Sequence, residues 1–561
     1  MPNETTIMPP GGQFPVSVFS DTPLLALRCQ PALAPFLPED ATTAEVVVDV
    51  LQVYVQYPDA LPVSLDGGQG AALDVTVSVN GTQLASGSVA LNGSASLPAS
   101  LSGLAPRPEP YNLTCTGTLG SQTFSGSANM SYLPSPPSNI GSVTKRDLRN
   151  GGLLAKKIGG DYEYVLPVGF YTQWGGYLED NDTTVQALAE QGHVQVHPIP
   201  PFENRTALNS TLAKMEEQNL WLMYDMRFTY MNLTTIHSEV TPLTPLSNLL
   251  LYYTADEPDG TSDPPSSAAA AYTVLRTLDP YHPASLVLNC ADYHWADYAS
   301  SADILLQDVY NLGNNLTFSS VWHTPCTPDQ GVCGCDDCVG GWGDIRDRVA
   351  AFKERMVVLG WERSKSVWTV PQGFGSTEYW DRTPSGAEWL VEALVALNAG
   401  ATGVVSWADP TTPSIKSAAA TLARSAPALA QRMFSPTAAR AQRTTAGGID
   451  VGLWNDSSTG EVLLIAANLN YASANVSLDE LFGAPGSSAR VENVSMVMDG
   501  GARVVGNDVS FDSVESGAWI MRLAGNGTGS DGQTSAAIGA DWDMVFLWVV
   551  VATIVGSAPT L

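Results

Sequence analysis

Two adjacent carboxylates close an apolar run near the middle of the chain and are its strongest candidates for chemistry. The segment reads Leu250-Leu-Tyr-Tyr-Thr-Ala-Asp-Glu-Pro-Asp-Gly260, so Asp256 and Glu257 follow a strand-like stretch directly. Two like charges in a partly apolar surrounding raise the pKa of at least one of them. A carboxylic acid with a raised pKa can protonate a leaving oxygen, so we predict that Glu257 is a general acid.

A second carboxylate could complete this chemistry, and the sequence leaves two candidates open. Asp308 closes a later apolar run, and Tyr310 stands two positions on, which places both on one face of a strand. Glu378 follows the run that ends at Gln372 and could enter from a loop. Either residue could act as the base or nucleophile.

Eight apolar, β-rich runs alternate with amphipathic segments in this part of the chain. The runs are Val165–Trp174, Val194–Phe202, Trp221–Tyr230, Leu249–Glu257, Ser285–Ala291, Ile304–Tyr310, Val367–Phe374 and Gly403–Asp409. The segments are Thr184–Gln191, Thr206–Asn219, Ala268–Leu278, Asp344–Leu359, Ala387–Ala399 and Ile415–Ala426. The fifth and sixth runs are so close that the helix between them must be brief. This order predicts a (β/α)8 barrel with its chemistry at the C-terminal ends of the strands.

The regions on either side of the barrel have β patterns instead. Ala44–Tyr57, Ala72–Val79 and Thr114–Ser127 predict an immunoglobulin-like sandwich over residues 1–140. Ile449–Trp454, Glu461–Ala467, Ala489–Met498 and Gly517–Arg522 predict a smaller sandwich over residues 436–525. We therefore expect an α/β protein whose central TIM barrel, residues 141–435, is flanked by two β-sandwich domains.

The barrel region resembles glycoside hydrolases of the clan A type over roughly residues 143–430. That family carries its acid/base Glu at the end of strand four, usually as Asn-Glu-Pro, and a nucleophilic Glu at the end of strand seven. Glu257 matches the first position, with Asp256 in place of Asn, whereas Gln372 stands at the end of strand seven. Asp279-Pro-Tyr-His-Pro, Gln307-Asp-Val-Tyr and Pro371-Gln-Gly-Phe-Gly also look like segments of such hydrolases.

The resemblance implies an O-glycosyl hydrolase, for which we predict no cofactor or metal. Together with the cell-surface location argued below, this leads us to expect an extracellular or cell-wall glycan as the substrate. In hexosaminidases that use the substrate's own N-acetyl group, an Asp beside the acid orients that group, so the Asp256–Glu257 pair also suits a mechanism without a protein nucleophile. A barrel that only binds carbohydrate, or a transglycosylase that rebuilds wall polymer, would have the same fold.

Aromatic and polar residues at the ends of other runs are the predicted substrate contacts. Indole rings stack on the apolar faces of sugars, and polar groups bind their edges. Trp407, near the end of strand eight, is the first choice because the resembled family places a Trp there. The remaining predicted contacts are Asp256, Tyr310, Gln372, Trp174, Arg227 and Trp295.

Charge and spacing exclude several other classes of ligand. The formal net charge of −30 disfavours nucleic acid and anionic lipid surfaces. His193 and His197 would share a strand face but lie too far apart for one metal, so we predict no metal site. We expect a monomer whose partner is an oligosaccharide or polysaccharide.

Glycosylation sequons and cysteines predict a secreted protein, and the chain as a whole resembles GPI-anchored surface proteins of the fungal type. Fourteen Asn-x-Ser/Thr sequons span the chain, at Asn3, Asn80, Asn92, Asn112, Asn129, Asn181, Asn204, Asn209, Asn232, Asn315, Asn455, Asn475, Asn493 and Asn526. Cys29 and Cys115 could pair, while Cys326, Cys333, Cys335 and Cys338 favour two disulfides over zinc. Cys290 is expected as a buried thiol.

The two ends of the chain bear on its location. Residues 526–561 resemble a GPI-attachment signal, with a polar spacer followed by the short apolar stretch Met544–Val555. A secreted protein needs a leader, and Met1-Pro-Asn-Glu lacks both a basic and an apolar leader region. We therefore expect the start to be truncated or misassigned.

Overall fold

Eight parallel strands close into a barrel, which confirms the predicted fold class. A computed structural model describes residues 12–65, 71–180, 182–321, 323–326, 333–445, 447–482 and 491–523, so the predicted GPI signal lies outside the described residues. The barrel strands are β1 Val168–Gln173, β2 Gln195–Ile199, β3 Trp221–Asp225, β4 Leu249–Tyr253, β5 Ala284–Leu288, β6 Ile304–Gln307, β7 Ser366–Thr369 and β8 Val404–Asp409. Each predicted run overlaps one of them, although β5 and β7 begin one residue before the predicted start.

A helix follows each barrel strand. The helices are α1 Asp182–Gln191, α2 Arg205–Glu217, α3 Leu233–Val240, α4 Pro265–Leu278, α5 Trp295–Ala299, α6 Gly343–Leu359, α7 Gly386–Asn398 and α8 Pro413–Met433. As expected, α5 is brief, with five residues. The predicted end of the last helix at Ala426 is wrong, because α8 continues through Pro427 and buries Leu429, Ala430 and Met433.

Two layers of apolar side chains hold the barrel together. Alternate strand residues point inward and form one cluster, including Tyr171, Met223, Leu251, Tyr253 and Trp368. Their neighbours point outward and pack under the helices, as Phe170, Leu222 and Tyr252 do. This alternation decides which polar residues reach the mouth, because side chains two apart on a strand share a face.

A small sheet closes the N-terminal end of the barrel. The strands Ser142–Asp147, Leu153–Lys157 and Glu163–Val165 pair in sequence, and Leu33–Ala34 extends them. Leu153, Ala155 and Val165 join the inner cluster of the barrel from below. The opposite end, where the strands end in Asp and Gln, is therefore the open mouth.

The N-terminal domain is a sandwich of two four-stranded antiparallel sheets. One contains Phe19–Pro31, Glu45–Val55, Leu61–Pro62 and Gly93–Pro98; the other contains Ala72–Val79, Thr82–Ala90, Tyr111–Leu119 and Gln122–Met130. The predicted run Thr114–Ser127 is thus two strands, joined by a turn in which Gly120 adopts a φ of +59°. Cys29 and Cys115 form a disulfide between the two sheets.

We expect the double substitution of Cys29 and Cys115 by Ala to lower the free energy of unfolding by about 2–4 kcal/mol. The disulfide joins positions 86 residues apart, so the reduced chain gains much conformational entropy when it unfolds. The pair Cys335–Cys338, three residues apart, is the matched control, and its removal should cost clearly less. Urea denaturation of the three proteins measures the difference, and equal losses would contradict the prediction.

The C-terminal domain packs its larger sheet against the barrel. Its strands are Ala438–Thr444, Ile449–Asp456, Glu461–Asn468, Val491–Gly500 and Ser516–Leu523 in one sheet, and Ala474–Ser477, Arg503–Val505 and Asp508–Phe511 in the other. A short helix, α9 Leu478–Phe482, follows the strand Ala474–Ser477. The amide of Asn398, at the end of α7, donates to the buried Asp450 carboxylate at 2.7 Å, which links the two domains.

The remaining cysteines pair within the loop between β6 and α6. Cys326 pairs with Cys333, and Cys335 pairs with Cys338, as the preference for two disulfides predicted. Cys290 is buried and takes part in none of the three disulfides. Among the residues that the structure describes, no helix is long and apolar enough to cross a bilayer.

Candidate active site

Glu257 lies in a tight loop just beyond the end of β4, at the mouth of the barrel. Its φ is +46°, in the left-handed region that non-glycine residues seldom adopt. Thr261 holds this conformation, because its amide and hydroxyl donate to the Glu257 carbonyl at 3.1 and 3.2 Å. Such backbone outliers are concentrated at functional sites, where the surroundings keep a side chain in one place.

The carboxyl group of Asp308, just beyond β6, lies against that of Glu257, close enough for the two to interact electrostatically. Asp308 is 5% exposed, whereas Glu257 is half-buried. Burial, and then the negative charge of Glu257, raise the pKa of Asp308 well above its ordinary value. Asp308 is therefore the member of the pair that keeps its proton to higher pH, and Glu257 is the member with access to solvent.

Asp256 is fixed beside this pair by two donors. Arg227 donates from Nη1 to Oδ2 of Asp256 at 2.6 Å, and the Tyr253 hydroxyl donates to Oδ1 at 2.5 Å. Burial, followed by the charges of Asp225 and Glu257, raises the pKa of Asp256 to about 7 despite the nearby guanidinium. Because both oxygens have partners, Asp256 is held in one orientation.

Arg227 is itself held by Asp225, which ends β3. Oδ2 of Asp225 accepts from Nε of Arg227 and from Nε2 of His197, each at 2.8 Å. Burial lowers the pKa of His197, so its ring is neutral and donates to Asp225. His197, Asp225, Arg227 and Asp256 thus form a buried chain of polar contacts from β2 to β4 that orients the carboxylate next to Glu257.

Aromatic rings surround the guanidinium of Arg227. Its central carbon lies 5.1 Å from the ring centre of Trp407, 5.4 Å from that of Tyr171 and 5.6 Å from that of Tyr253. These are cation–π distances, which stabilise the charge inside the mouth. Trp407 is half-buried, so part of its indole remains accessible next to the carboxylates.

Tyr310 belongs to the same group of residues. The charges of Asp308, Glu257 and Asp256, together with burial as the main cause, raise its pKa well above the ordinary value. Its ring packs against Phe374 and Trp380 at 4.9 and 6.0 Å. The structure therefore places six predicted residues close together, namely Asp256, Glu257, Asp308, Tyr310, Arg227 and Trp407.

Three predicted substrate contacts are wrong, because their side chains are part of the buried interior. Trp174 packs edge-on against Phe202, and Trp295 against Phe352, both in the layer outside the barrel. The amide of Gln372 is fully buried and forms hydrogen bonds with main-chain atoms. Its Oε1 accepts from the Leu312 nitrogen at 3.1 Å, and its Nε2 donates to the Leu312 carbonyl at 2.9 Å. Their strand-end positions suggested the mouth, but each points elsewhere.

Glu378 lies exposed in the loop after β7. Its carboxylate forms no hydrogen bond with a described residue, although its main-chain carbonyl accepts from the Ser320 hydroxyl at 3.4 Å. Of the two candidate partners for Glu257, only Asp308 is in contact with it.

Histidine placement also differs from the prediction. His197 lies inside the barrel against Tyr171, whereas His193 precedes β2 and packs outside, against Phe170. The predicted common face is therefore wrong, because His193 is not part of the strand. Among the described residues, no group of three or more His, Cys, Asp or Glu side chains is arranged to hold a metal ion.

Sequence reasoning missed three residues of the site, Tyr171, Asp225 and Tyr253, and it considered His197 only as a metal ligand. Asp225 ends a strand two positions before Arg227, which is the signal that also selected Asp308. Tyr171 and Tyr253 occupy inward positions on β1 and β4 that the alternation of the strands could have identified.

A surface pocket of about 200 Å³ adjoins this site between the β2 and β3 loops. Its lining includes Asp225, Phe228, Arg205 and Glu203. Asp225 thus lines this pocket and also belongs to the polar chain behind Asp256.

Comparison with known proteins gives solved structures of similar fold. The chain is 10% identical to a β-D-glucuronidase of Dictyoglomus thermophilum, covering 70% of this chain and 62% of that one, with a TM-score of 0.31. The chain is 11% identical to a GH30 endoxylanase of Clostridium papyrosolvens, covering 64% of this chain and 97% of that one, with a TM-score of 0.38. It is 10% identical to an α-amylase of Geobacillus thermoleovorans, covering 62% of this chain and 92% of that one, with a TM-score of 0.40.

No family model matches the chain, and neither does any curated protein sequence. The alignment with the glucuronidase covers 62% of that protein, so the chain spans less than two thirds of its length. At identities and TM-scores this low the likeness concerns the fold alone, so the chemistry of the site rests on its own residues.

Proposed function

We propose that this protein is a glycoside hydrolase that cleaves O-glycosidic bonds by acid/base catalysis through Glu257. The observation that carries the proposal is the position of the buried Asp308 carboxyl group against that of Glu257 at the open mouth of the barrel, where burial and then the charge of Glu257 raise the pKa of Asp308. A carboxyl pair of this kind keeps a proton at a pH where a lone carboxyl has lost it. Protonation of the leaving oxygen requires such an acid.

The pair supports a simple sequence of steps. Glu257 gives its proton to the glycosidic oxygen, the bond from that oxygen to the anomeric carbon breaks, and its electrons stay with the oxygen. The pair then carries an additional negative charge beside the positive anomeric carbon and stabilises it. Water adds to that carbon, and its proton returns to the pair.

The surrounding residues suggest a class of substrate. The carboxylates of Asp225 and Asp256 contact the guanidinium of Arg227, and the carboxyl groups of Glu257 and Asp308 lie beside Asp256. We propose an uncharged glycan, because a uronate would be repelled by the carboxylates. The accessible part of Trp407 offers a flat apolar face for one sugar ring.

We also propose that the protein acts outside the cell, as a GPI-anchored protein of the surface or wall. Disulfides support an oxidising compartment. Of the fourteen sequons, Asn3, Asn181 and Asn526 lie outside the described residues, Asn455 is half-buried, and the other ten asparagines are exposed.

We expect Glu257→Gln to lower turnover of a responsive glycan by about 10²–10⁴-fold while binding persists. The amide has the shape of the acid but donates no proton to a leaving oxygen. Release of reducing ends from a panel of neutral polysaccharides measures turnover, and calorimetric titration measures binding. Glu378→Gln, an exposed carboxylate of the same face, is the matched control and should retain activity.

One observation favours a second candidate, a barrel that binds carbohydrate without cleaving it. Gln372 occupies the end of β7 and is engaged with main-chain atoms, so no carboxylate stands at that position. If wild-type protein and Glu257→Gln bind the same glycan equally and neither releases products, the binding function holds and the hydrolase proposal fails. Transfer of the glycan to a sugar acceptor instead of water would indicate a transglycosylase.

A further inference from the structure

Three large apolar side chains are exposed in the segment that links β3 to α3 at the barrel mouth. Phe228 is 68% exposed, Met231 53% and Leu233 42%, within six consecutive positions. Apolar side chains grouped in this way on a soluble protein mark a surface that something covers. We call Phe228, Met231 and Leu233 the rim patch.

A glycosylation sequon lies inside the rim patch. Asn232, in Asn-Leu-Thr, stands between Met231 and Leu233 and is itself exposed. It is also the N-cap of α3, because its Oδ1 accepts from the amides of Thr234 and Thr235 at 3.1 and 3.2 Å. The cap uses only the oxygen, so Nδ2 is left for modification.

A second sequon on the same face repeats this arrangement. Oδ1 of Asn315, in the loop after β6, accepts from the amide and hydroxyl of Thr317 at 3.0 and 2.8 Å. It also accepts from the amide of Phe318, whose ring is 43% exposed. In both Asn232 and Asn315 the side-chain oxygen accepts hydrogen bonds from residues that follow in the chain, and an exposed apolar side chain lies close by in sequence. The side-chain nitrogen of each forms no hydrogen bond with a described residue.

We propose that Asn232 carries an N-linked glycan whose first sugars cover the rim patch. In the attachment step, Nδ2 attacks the anomeric carbon of a lipid-diphosphate-linked oligosaccharide and forms a new N–C bond. The C–O bond to the diphosphate breaks, the diphosphate leaves with the electron pair, and the amide proton goes to a base. The linkage leaves Oδ1 unchanged, so the cap of α3 persists.

The rim patch gives the proposed glycan an apolar surface to cover. Sugar rings have apolar faces that stack on aromatic and aliphatic side chains. Phe228 also lines the surface pocket that includes Asp225, so a glycan on Asn232 would border that pocket. The inference concerns modification and does not depend on catalysis, although it requires synthesis in the secretory pathway.

The test uses the full-length protein, secreted from a eukaryotic host and mapped by glycopeptide mass spectrometry. Two variants remove the sequon by different chemistry and keep the N-cap: Asn232→Asp supplies a capping carboxylate, and Thr234→Ala leaves Asn232 in place. Thr235→Ala, on the same helical turn, keeps the sequon and is the matched control. Asn80→Asp removes an exposed sequon at a hairpin tip of the N-terminal domain.

We expect a glycan at Asn232 in the wild type and in Thr235→Ala, and none in the two sequon variants. Fluorescence of an apolar dye should rise about twofold in both sequon variants and stay unchanged in Thr235→Ala and Asn80→Asp. An unmodified Asn232 in protein whose Asn80 is glycosylated overturns the proposal. So does a glycan whose removal leaves dye binding unchanged, or self-association of the glycosylated protein through the rim patch.

Discussion

Asp308→Asn should move the basic limb of the pH–activity profile to lower pH and reduce activity at neutral pH by about 10²-fold. In the wild type, ionisation of one carboxyl of the Glu257–Asp308 pair opposes ionisation of the other, so a proton persists on the pair. With a neutral amide at position 308 that opposition is gone. The proton that Asp308 retains in the wild type is also gone, so at neutral pH the site has lost the proton that the pair supplies to a leaving oxygen.

The profile of kcat/KM against pH measures this shift. Glu378→Gln is the control, because its carboxylate is exposed in a loop and should leave the basic limb in place. A profile of Asp308→Asn that superimposes on the wild type would refute the role of the pair. A uniform loss at every pH would instead show that Asp308 matters only for structure.

The same substitution should change how stability depends on pH. Asp308 and Asp256 hold protons in the native state at pH values where the unfolded chain has lost them. The native state therefore binds more protons, and stability falls as the pH rises from the unfolded pKa, about 4, through the native values, about 7 for Asp256. Removal of one such carboxyl should make Asp308→Asn lose less stability over this interval.

Arg227→Met should lower the free energy of unfolding by about 3–5 kcal/mol and abolish activity. The guanidinium is 5% exposed and is the cation between Asp225 and Asp256, so its loss leaves the buried Asp225 and the half-buried Asp256 without their counter-charge. Repulsion would also release Asp256 from its position beside Glu257. Urea denaturation at neutral pH measures the first effect, and the activity assay measures the second.

Arg205→Met is the matched control for this prediction. Arg205 lies near the same mouth and pairs with Glu239 at 3.2 Å, but its side chain is 57% exposed. Water screens such a pair, so its loss should cost about 0.5 kcal/mol. Similar losses in the two variants would mean that burial of Arg227 contributes nothing beyond a surface ion pair.

The fold followed from the sequence because its signal is local. Apolar runs at strand length, separated by amphipathic stretches, predicted all eight barrel strands and the brief α5. Errors arose at a glycine and a proline, because each of these residue types can occur either inside an element or at its end. Gly120 makes a hairpin turn inside what reads as one strand, and Pro427 is accommodated inside α8 although proline usually ends a helix.

The site followed from the sequence only in part. Glu257, Asp256 and Asp308 could be selected because each closes an apolar run, and the C-terminal ends of barrel strands meet at one mouth. The same rule selected Trp174, Trp295 and Gln372, whose side chains the fold buries elsewhere. The position of a residue along a strand determines at which end of the barrel it lies. The direction of a side chain beyond the strand depends on the conformation of the loop that follows.

The sequence by itself determined the barrel, its two β domains and the carboxylates at the end of β4. Only the tertiary structure decided the partner of Glu257, because Asp308 is 51 positions away in the chain and meets it only when β4 and β6 close around the same mouth. The chain from His197 through Asp225 and Arg227 to Asp256 likewise joins three strands. Such contacts depend on the directions of side chains on neighbouring strands. The spacing of residues within one segment therefore cannot predict them.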